Sequence, residues 1–245
     1  MRILIIPDIH GRSFWIEPCE HFDEFDKIIF LGDYHDPYDN LITNFTPELF
    51  DKYKIQYYFY DDLIKAVSFD NLKNKLYPFV KEHEDKVICL LGNHDCSYLN
   101  VPIADRFDYD NQDEIREILQ DINIKLLYKV DNYLFSHAGV LPLWLDKNQL
   151  TLDYLLNEDI PYVKLDQVSW LRGGLDPVGS CVWCDIREYI NSPKLPELYQ
   201  IFGHTQLNPA EIITPQFACL DCQKAFTLDT ETKILTEFKN ESKSN

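Results

Sequence analysis

Five short apolar runs that each end in a polar turn are the feature that most limits what this chain can fold into. The third run, Val87 to Leu91, leads into Gly92-Asn93-His94-Asp95. The other four lead into Asp8-Ile9-His10-Gly11, Gly32-Asp33-Tyr34-His35-Asp36, Ser136-His137-Ala138-Gly139 and Gly203-His204-Thr205. Short apolar runs bounded by turn residues indicate buried strands. The pattern therefore predicts an α/β protein of mixed strands with one site at the strand ends.

The length and charge of the chain narrow the class of protein further. Its 245 residues suffice for one domain with a full core, so we expect a single domain over 1–245. The net charge of -18 disfavours partners such as duplex nucleic acid or an anionic membrane. No apolar run reaches the length of a membrane span, and the opening residues lack the basic start of an export signal. These features predict a cytoplasmic protein.

Seven cysteines are an odd number for a disulfide framework. Two pairs are closely spaced, Cys181 with Cys184 and Cys219 with Cys222, and together they could offer four thiolates to a zinc ion. Both pairs also lie in apolar, strand-like sequence, where cysteine behaves as a small hydrophobic residue. We favour the interpretation that these cysteines are small hydrophobic residues, and the zinc site stays an alternative.

Residues 37–86 differ from the rest of the chain because they are rich in aromatic residues and have helical spacing. Thr46 followed by Pro47 is typical of a helix start, and Tyr60 to His83 predicts one or two amphipathic helices. We expect a helical insert here. Asn111, with Glu114 three residues later, predicts a capping box for a helix over 111–121.

The second half of the chain predicts several short strands. A hairpin is expected from strands at 124–130 and 133–137, and three further strands are expected at about 216–221, 224–229 and 233–238. The polar tail at about 240–245 is expected to be frayed.

The polar turns carry the residue types that hard divalent cations prefer. Carboxylates, imidazoles and amide oxygens must converge from several segments to hold such ions. The turns supply Asp8, His10, Asp33, Asn93, His137 and His204. Of the seven histidines, His10, His94, His137 and His204 lie in glycine-bearing turns, and His35 is adjacent to one. This concentration predicts a metal site.

In their order along the chain, these five motifs resemble those of the calcineurin-like metallophosphoesterases. Within that superfamily they are most similar to the phosphoprotein phosphatase branch and to the symmetrical dinucleoside tetraphosphatases. The resemblance spans residues 1 to about 230 and implies a four-layer α/β/β/α sandwich. The insert at about 37–86 would then be a helical cap beside the metals.

The resemblance also implies roles for the residues in the turns. Asp8 and His10 would hold the first of two divalent ions, Asp33 would bridge both, and Asn93, His137 and His204 would hold the second. Manganese is the expected metal, and iron, zinc and magnesium are compatible with the ligands. His94 would be the general acid that protonates the leaving oxygen, and Asp36 would orient it.

Two positions depart from the phosphoprotein phosphatase pattern. That branch usually has phosphate-binding arginines where this chain has Pro37 and Leu91. Arg172 and Arg187 lie in the region where bacterial members carry a substrate arginine near a tryptophan, so we expect them to be phosphate contacts. Arg12, which follows the first motif, is a weaker candidate.

The expected activity is metal-dependent hydrolysis of a phosphoester. The first hypothesis is a phosphomonoesterase of the serine/threonine protein phosphatase type, acting on a phosphoprotein or a small metabolite. The alternative is a nucleotide substrate, either a dinucleoside polyphosphate or a cyclic phosphodiester. The nucleotide substrate stays an alternative because both phosphate-binding arginines of the phosphoprotein phosphatases are missing. A third hypothesis is a non-catalytic scaffold that has kept the fold. It is disfavoured because the sequence contains every expected metal ligand.

Overall fold

The computed structural model describes residues 1–55, 59–99, 106–157 and 164–240. The strands are β1 Arg2–Ile6, β2 Lys27–Phe30, β3 Val87–Cys89, β4 Tyr128–Val130, β5 Tyr133–Phe135, β6 Tyr199–Phe202, β7 Glu211–Ile213, β8 Phe217–Cys219, β9 Phe226–Asp229 and β10 Ile234–Glu237. The helices are α1 Ile16–Glu20, α2 Pro47–Tyr53, α3 Tyr60–Asn71, α4 Tyr77–Glu82, α5 Asn93–Tyr98, α6 Gln112–Asp121, α7 Pro142–Asn148, α8 Leu152–Asn157 and α9 Ile186–Ile190. None of these helices is long and apolar enough to cross a bilayer.

The strands form two sheets of mixed direction. The first has the order β10-β9-β1-β2-β3, and the second has the order β4-β5-β6-β8-β7. Strands β1, β2 and β3 are parallel, as are β5, β6 and β8, whereas the outer strands pair antiparallel. Because the carboxyl ends of parallel strands meet at one edge of a sheet, the turns after these strands are brought together.

Alternating side chains of the strands separate the core into layers. One apolar cluster draws on both sheets and contains Ile3, Ile5, Ile29, Leu31, Phe135 and Ile201. A second cluster joins the opposite faces to helices and contains Leu4, Ile6, Phe30, Trp15, Leu72, Trp144 and Tyr189. This arrangement of helix, sheet, sheet and helix confirms the expected four-layer sandwich.

The helical insert comprises α2, α3 and α4, and a π-helical turn at Leu72–Leu76 joins the last two. Helix α3 packs directly on the site: Asn71 donates a 2.6 Å hydrogen bond to the carbonyl of Gly11. Gly11 has a φ of 71°, and a Cβ there would lie 2.2 Å from Ser68 Oγ. Only glycine fits this turn, so the insert and the first polar turn form one packed unit.

Several local expectations can now be compared with the structure. The β4–β5 hairpin and strands β8, β9 and β10 are present as expected. Thr46 Oγ1 caps α2 by accepting from Leu49 N–H at 3.4 Å. The capping role of Asn111 is wrong, because its side chain donates to Asp108 Oδ2 at 2.9 Å instead. Strand β7 was not expected, since it is short and largely exposed. The tail beyond Asn240 lies outside the described residues.

Candidate two-metal active site

All six expected metal ligands lie in one buried cluster at the carboxyl ends of β1, β2, β3, β5 and β6. Each of their side chains is less than a tenth exposed; they are Asp8, His10, Asp33, Asn93, His137 and His204. His10, Asp33 and His204 have positive φ values of 46°, 54° and 65°. Such conformations are uncommon outside glycine and cluster at functional sites.

On the side of the first proposed ion, the tautomer of His10 is set by the backbone. Its Nδ1 lies 3.1 Å from the carbonyl of His35 and 3.0 Å from that of Asp36. Nδ1 therefore carries the proton, and the lone pair of Nε2 points to Asp33 Oδ2 at 3.4 Å. Asp8 lies near enough to Asp33 for the two carboxylates to interact. Its Oδ1 accepts from the backbone N–H of His204 at 2.8 Å, and its buried Oδ2 has no hydrogen-bond partner among the described residues.

On the other side, His137 is held in the same way. Its Nδ1 is 2.8 Å from the carbonyl of Leu31, which leaves Nε2 with a lone pair. That atom faces Asn93 Oδ1 at 2.9 Å, His204 Nδ1 at 3.2 Å and Asp33 Oδ2 at 3.5 Å. Atoms of the types that bind divalent cations therefore converge on this side of the site.

Asp33 is shared by the two sides. Within the described ranges, two groups of three residues have potential ligand atoms within 4.8 Å of one another: His10–Asp33–His94 and Asp33–His137–His204. Asp33 is common to both, as a bridging carboxylate would be. His94 in the first group is the expected acid, so Asp33 and His10 are the ligand candidates of that group. The donor set and the unpartnered Asp8 Oδ2 therefore fit a pair of divalent ions.

The protonation states suit cation binding as well. Burial lowers the pKa of His10 and of His204 and brings the pKa of His137 to about 3, so all three rings are neutral. Burial also raises the pKa of Asp33 to about 8, against the opposing effect of His94. Bound cations would relieve the cost of ionising this carboxylate.

The expected acid and its orienting carboxylate form a hydrogen-bonded pair. His94 Nδ1 lies 3.0 Å from Asp36 Oδ2. The backbone N–H of His94 donates to Asp33 Oδ1 at 2.9 Å, which ties the pair to the candidate bridging ligand. Burial alone would lower the pKa of His94, but the carboxylates of Asp33 and Asp36 outweigh it and raise the pKa to about 9. The imidazolium form that a general acid needs is thereby favoured.

Tyr98 is a residue of this site that the sequence did not indicate. Its hydroxyl donates to Asp36 Oδ1 and accepts from the backbone N–H of Asp108 at 2.9 Å. Tyr98 lies four residues after His94 on helix α5, so both side chains lie on the same helix face. That spacing is the signal that could have revealed it.

We expect Tyr98→Phe to lower kcat by about 10-fold, because Asp36 would lose the contact that fixes its orientation. The loss should be larger for an alkyl phosphate than for p-nitrophenyl phosphate, since only the poor leaving group depends on an oriented acid. Steady-state kinetics with both substrates would check this. An equal loss on both would mean that Tyr98 only supports the fold.

Asp95 fixes the geometry of two motifs at once. Its carboxylate accepts from the backbone N–H groups of Asp33 at 2.7 Å, Gly92 at 2.9 Å and Tyr34 at 3.1 Å. The turn after β2 is therefore held against the turn after β3. The sequence showed Asp95 beside His94 but gave no indication of this structural role.

A second buried network anchors the insert. His35 lies between Ser68 Oγ, 2.7 Å from its Nδ1, and Asp108 Oδ2, 3.1 Å from its Nε2. Burial raises the pKa of Asp108, but hydrogen bonds from His35 and Asn111 outweigh it and hold the pKa at about 2.

Asp108 should therefore stabilise the protein in a pH-dependent way. Its carboxylate ionises more readily in the folded chain than at the ordinary pKa of about 3.9, so the contribution is complete above about pH 4 and is lost as the pH falls toward 2. We expect Asp108→Asn to lower the free energy of unfolding by about 2 kcal/mol at pH 7 and by progressively less below pH 4. Urea unfolding across this range would measure it. Asp113→Asn, which alters an exposed ion pair, is the matched control.

The two expected phosphate-binding arginines occupy different positions around one carboxylate. Arg172 Nη2 donates to the carbonyl of His204 at 3.2 Å and to Thr205 Oγ1 at 2.7 Å. Its Nε lies 2.9 Å from Asp185 Oδ2. Arg187 pairs with the same Asp185 at 2.8 Å, but its side chain is 62% exposed. The structure therefore brings Arg172, and not Arg187, against a metal-site turn.

We expect Arg172→Ala to lower kcat/KM by about 10–100-fold, the range for loss of a charged hydrogen bond to phosphate. Arg187→Ala should change it by less than about 3-fold, because exposed ion pairs contribute little. Kinetics of the two variants side by side would check this. Equal losses would show that both arginines contact the substrate.

Among the described residues, the two cysteine pairs do not come together in a group of potential metal-ligand atoms. All seven cysteines are free thiols, and Cys181, Cys184 and Cys219 are buried. Cys219 Sγ donates to the carbonyl of Gly203 at 3.2 Å. Between Cys219 and Cys222 lies Asp221, which is 4% exposed. Burial raises its pKa to about 6, while Arg12 and Arg172 oppose the rise. The cysteine spacing in the sequence gave no indication of this buried acidic residue.

Comparison with known proteins identifies the family of this chain. Residues 1–206 match the calcineurin-like phosphoesterase family. The chain belongs to this family. It is therefore a phosphoester hydrolase, and the resemblance drawn from the motifs is confirmed. Members typically bind two divalent metal ions.

One curated relative is a symmetrical bis(5'-nucleosyl)-tetraphosphatase from Nitrosospira multiformis. It is 32% identical over 110 residues, and the match covers 34% of this chain and 39% of the relative. The chain therefore spans well under half the length of that enzyme.

Among solved structures, a cold-active protein-tyrosine phosphatase of a Shewanella species aligns with a TM-score of 0.56 at 14% identity. The alignment covers 97% of this chain and 80% of that protein. A second structure of a cold-active protein tyrosine phosphatase gives 0.55 at 14% identity and covers 98% of this chain and 79% of that one. At this identity the similarity concerns the fold.

Proposed function

We propose that this enzyme uses two divalent metal ions to hydrolyse a phosphoanhydride of a nucleotide, of the dinucleoside polyphosphate kind. The observation that carries the two-metal part is the position of Asp33 Oδ2, 3.4 Å from His10 Nε2 and 3.5 Å from His137 Nε2. Asp8 and His10 would hold one ion, and Asn93, His137 and His204 the other. Manganese suits this mixture of oxygen and nitrogen ligands, and iron, zinc and magnesium are alternatives.

The bound ions would supply a nucleophilic water at neutral pH and stabilise charge on the phosphoryl group. The residues of the chain supply the proton, its orientation and further positive charge. As the water oxygen bonds to phosphorus and the bond to the leaving oxygen breaks, His94 gives a proton to that oxygen. Asp36 keeps the ring of His94 in place and stabilises its charged form, and Arg172 adds positive charge near His204.

The nucleotide substrate is supported by two observations. The curated relative has a dinucleoside tetraphosphate as its named substrate. In addition, Pro37 and Leu91 replace the arginines usual in protein phosphatases. Seven free thiols fit a reducing compartment, so we expect the enzyme to act in the cytoplasm.

Product analysis would test the proposal. The manganese-loaded protein would be incubated with diadenosine tetraphosphate, a phosphoserine peptide and p-nitrophenyl phosphate, and the products separated by anion-exchange chromatography. Symmetrical hydrolysis gives two molecules of ADP and no ATP or AMP. Turnover of the peptide without turnover of the dinucleotide would contradict the proposal.

The second candidate is a phosphomonoester on a serine or threonine side chain, as the sequence first suggested. The hydrogen-bonded pair of His94 and Asp36 favours it, because an alkoxide is a poor leaving group that needs a proton. Turnover of the phosphoserine peptide at a higher kcat/KM than the dinucleotide would favour this candidate.

A further inference from the structure

We propose that Arg12, Tyr38 and Arg106 form an anion subsite that binds a second, non-transferred phosphate group of the substrate. The inference deepens the proposed function and rests on it, since only a substrate with consecutive phosphates could use such a subsite. None of the three residues belongs to the motifs that carry the family resemblance.

The position of Tyr38 ties the cluster to the metal site. Its ring packs edge to face against the ring of His10, with 4.6 Å between their centroids. Two guanidinium groups lie against the same tyrosine ring, that of Arg106 at 4.6 Å from the centroid and that of Arg12 at 5.4 Å. Two arginines that share one ring next to a candidate metal ligand place concentrated positive charge at the edge of the site.

Arg12 is 9% exposed, which is unusual for an arginine that forms no salt bridge with the described residues. Its one hydrogen bond among the described residues runs from Nη2 to Asn40 Oδ1 at 3.1 Å, although a guanidinium has five N–H donors. A largely buried cation with donors to spare is suited to an anionic ligand.

Arg106 lies against the turn that leads to Tyr38. Its Nη1 donates to the carbonyl of Pro37 at 3.3 Å. The same nitrogen pairs with Asp39 Oδ1 at 2.8 Å, but Asp39 is 85% exposed. Such an exposed ion pair is weak, so a phosphate could replace Asp39 at small cost.

The location distinguishes this subsite from that of the transferred phosphate. We place the transferred group at Asp33, the candidate bridging ligand. The guanidinium groups of Arg12 and Arg106 pack on the ring of Tyr38, which in turn packs on that of His10. We therefore place the phosphate that they bind next to the transferred group, as the following phosphate of a polyphosphate chain. Bidentate binding by arginine is typical of such groups.

The test compares a polyphosphate with a single phosphate in the metal-loaded enzyme. Arg12→Lys, Arg12→Ala and Arg106→Ala would be assayed with diadenosine tetraphosphate and p-nitrophenyl phosphate, and tripolyphosphate and orthophosphate would be used as inhibitors of the second reaction. We expect the inhibition constant for tripolyphosphate to rise by about 10–100-fold in the alanine variants. The loss of kcat/KM on the tetraphosphate should exceed the loss on p-nitrophenyl phosphate by at least about 10-fold.

Arg2→Ala is the matched control, because it removes an exposed guanidinium that lies 5.3 Å from the ring centroid of Phe25 at the opposite end of β1. This variant should change neither the inhibition constant for tripolyphosphate nor kcat/KM on the tetraphosphate. Equal losses on both substrates would overturn the proposal, since they would place the arginines on the transferred phosphate. Unchanged tripolyphosphate inhibition would also overturn it. If tetraphosphate is not hydrolysed but tripolyphosphate inhibition still depends on Arg12 and Arg106, the proposed function fails and the subsite stands.

Discussion

Asp33→Asn is expected to lower kcat by at least about 10³-fold and to reduce bound metal from two ions to one or none. Asp33 Oδ2 faces His10 Nε2 at 3.4 Å and His137 Nε2 at 3.5 Å, so one oxygen is placed to serve both ions. An amide carries no negative charge to hold two cations, and in one orientation it would point a donor N–H group at them. Metal analysis by mass spectrometry, together with kinetics on p-nitrophenyl phosphate, would measure both effects.

The control for this variant is Asp146→Asn on helix α7, an exposed position where the same change should leave both readouts unaffected. Circular dichroism would show whether the Asp33 variant is folded, because Asp33 Oδ1 also accepts the backbone N–H of His94. An Asp33→Asn protein that is folded, holds two ions and retains most of its activity would refute the bridging role.

His94→Asn is expected to give a loss that depends on the leaving group. With an alkyl phosphate, kcat should fall by about 10²–10⁴-fold, since the alkoxide then leaves without a proton. With p-nitrophenyl phosphate or diadenosine tetraphosphate the loss should be smaller, because nitrophenolate and a nucleoside diphosphate are better leaving groups. Side-by-side kinetics on the three substrates would measure the difference.

Asp36→Asn provides the companion test of the same pair. Its amide would still contact His94 but would no longer stabilise the imidazolium, so the order of sensitivity among the substrates should be preserved with smaller losses. His83→Asn is the control, since His83 packs on Phe22 and Phe79 away from the site. A uniform loss on all substrates would mean that His94 binds the phosphate and does not donate a proton.

The sequence predicted the parts of this protein that follow from short-range rules. Apolar runs with terminal glycines predicted β1, β2, β3, β5 and β6, because each strand and its turn are adjacent in the chain. Parallel strands then bring their carboxyl ends together, and for this reason the six expected ligands lie in one cluster. Family membership confirms the fold and the hydrolytic activity.

The parts that the sequence did not predict depend on contacts between distant segments. Tyr98 reaches Asp36 across 62 positions, and Asp108 reaches His35 across 73. The capping role expected for Asn111 was wrong because Asp108 captures its side chain. Likewise, no pattern in the sequence indicates that Arg106 donates to the carbonyl of Pro37. Side-chain partners that the fold brings together are set by tertiary packing, which local propensity does not encode.

Anomalous X-ray diffraction from crystals soaked in Mn²⁺ would test the central claim most directly. We expect two peaks roughly 3.5–4 Å apart, both bound by Asp33, with His10 on one and His137 on the other. A single peak, or two peaks that do not share Asp33, would contradict the two-metal site.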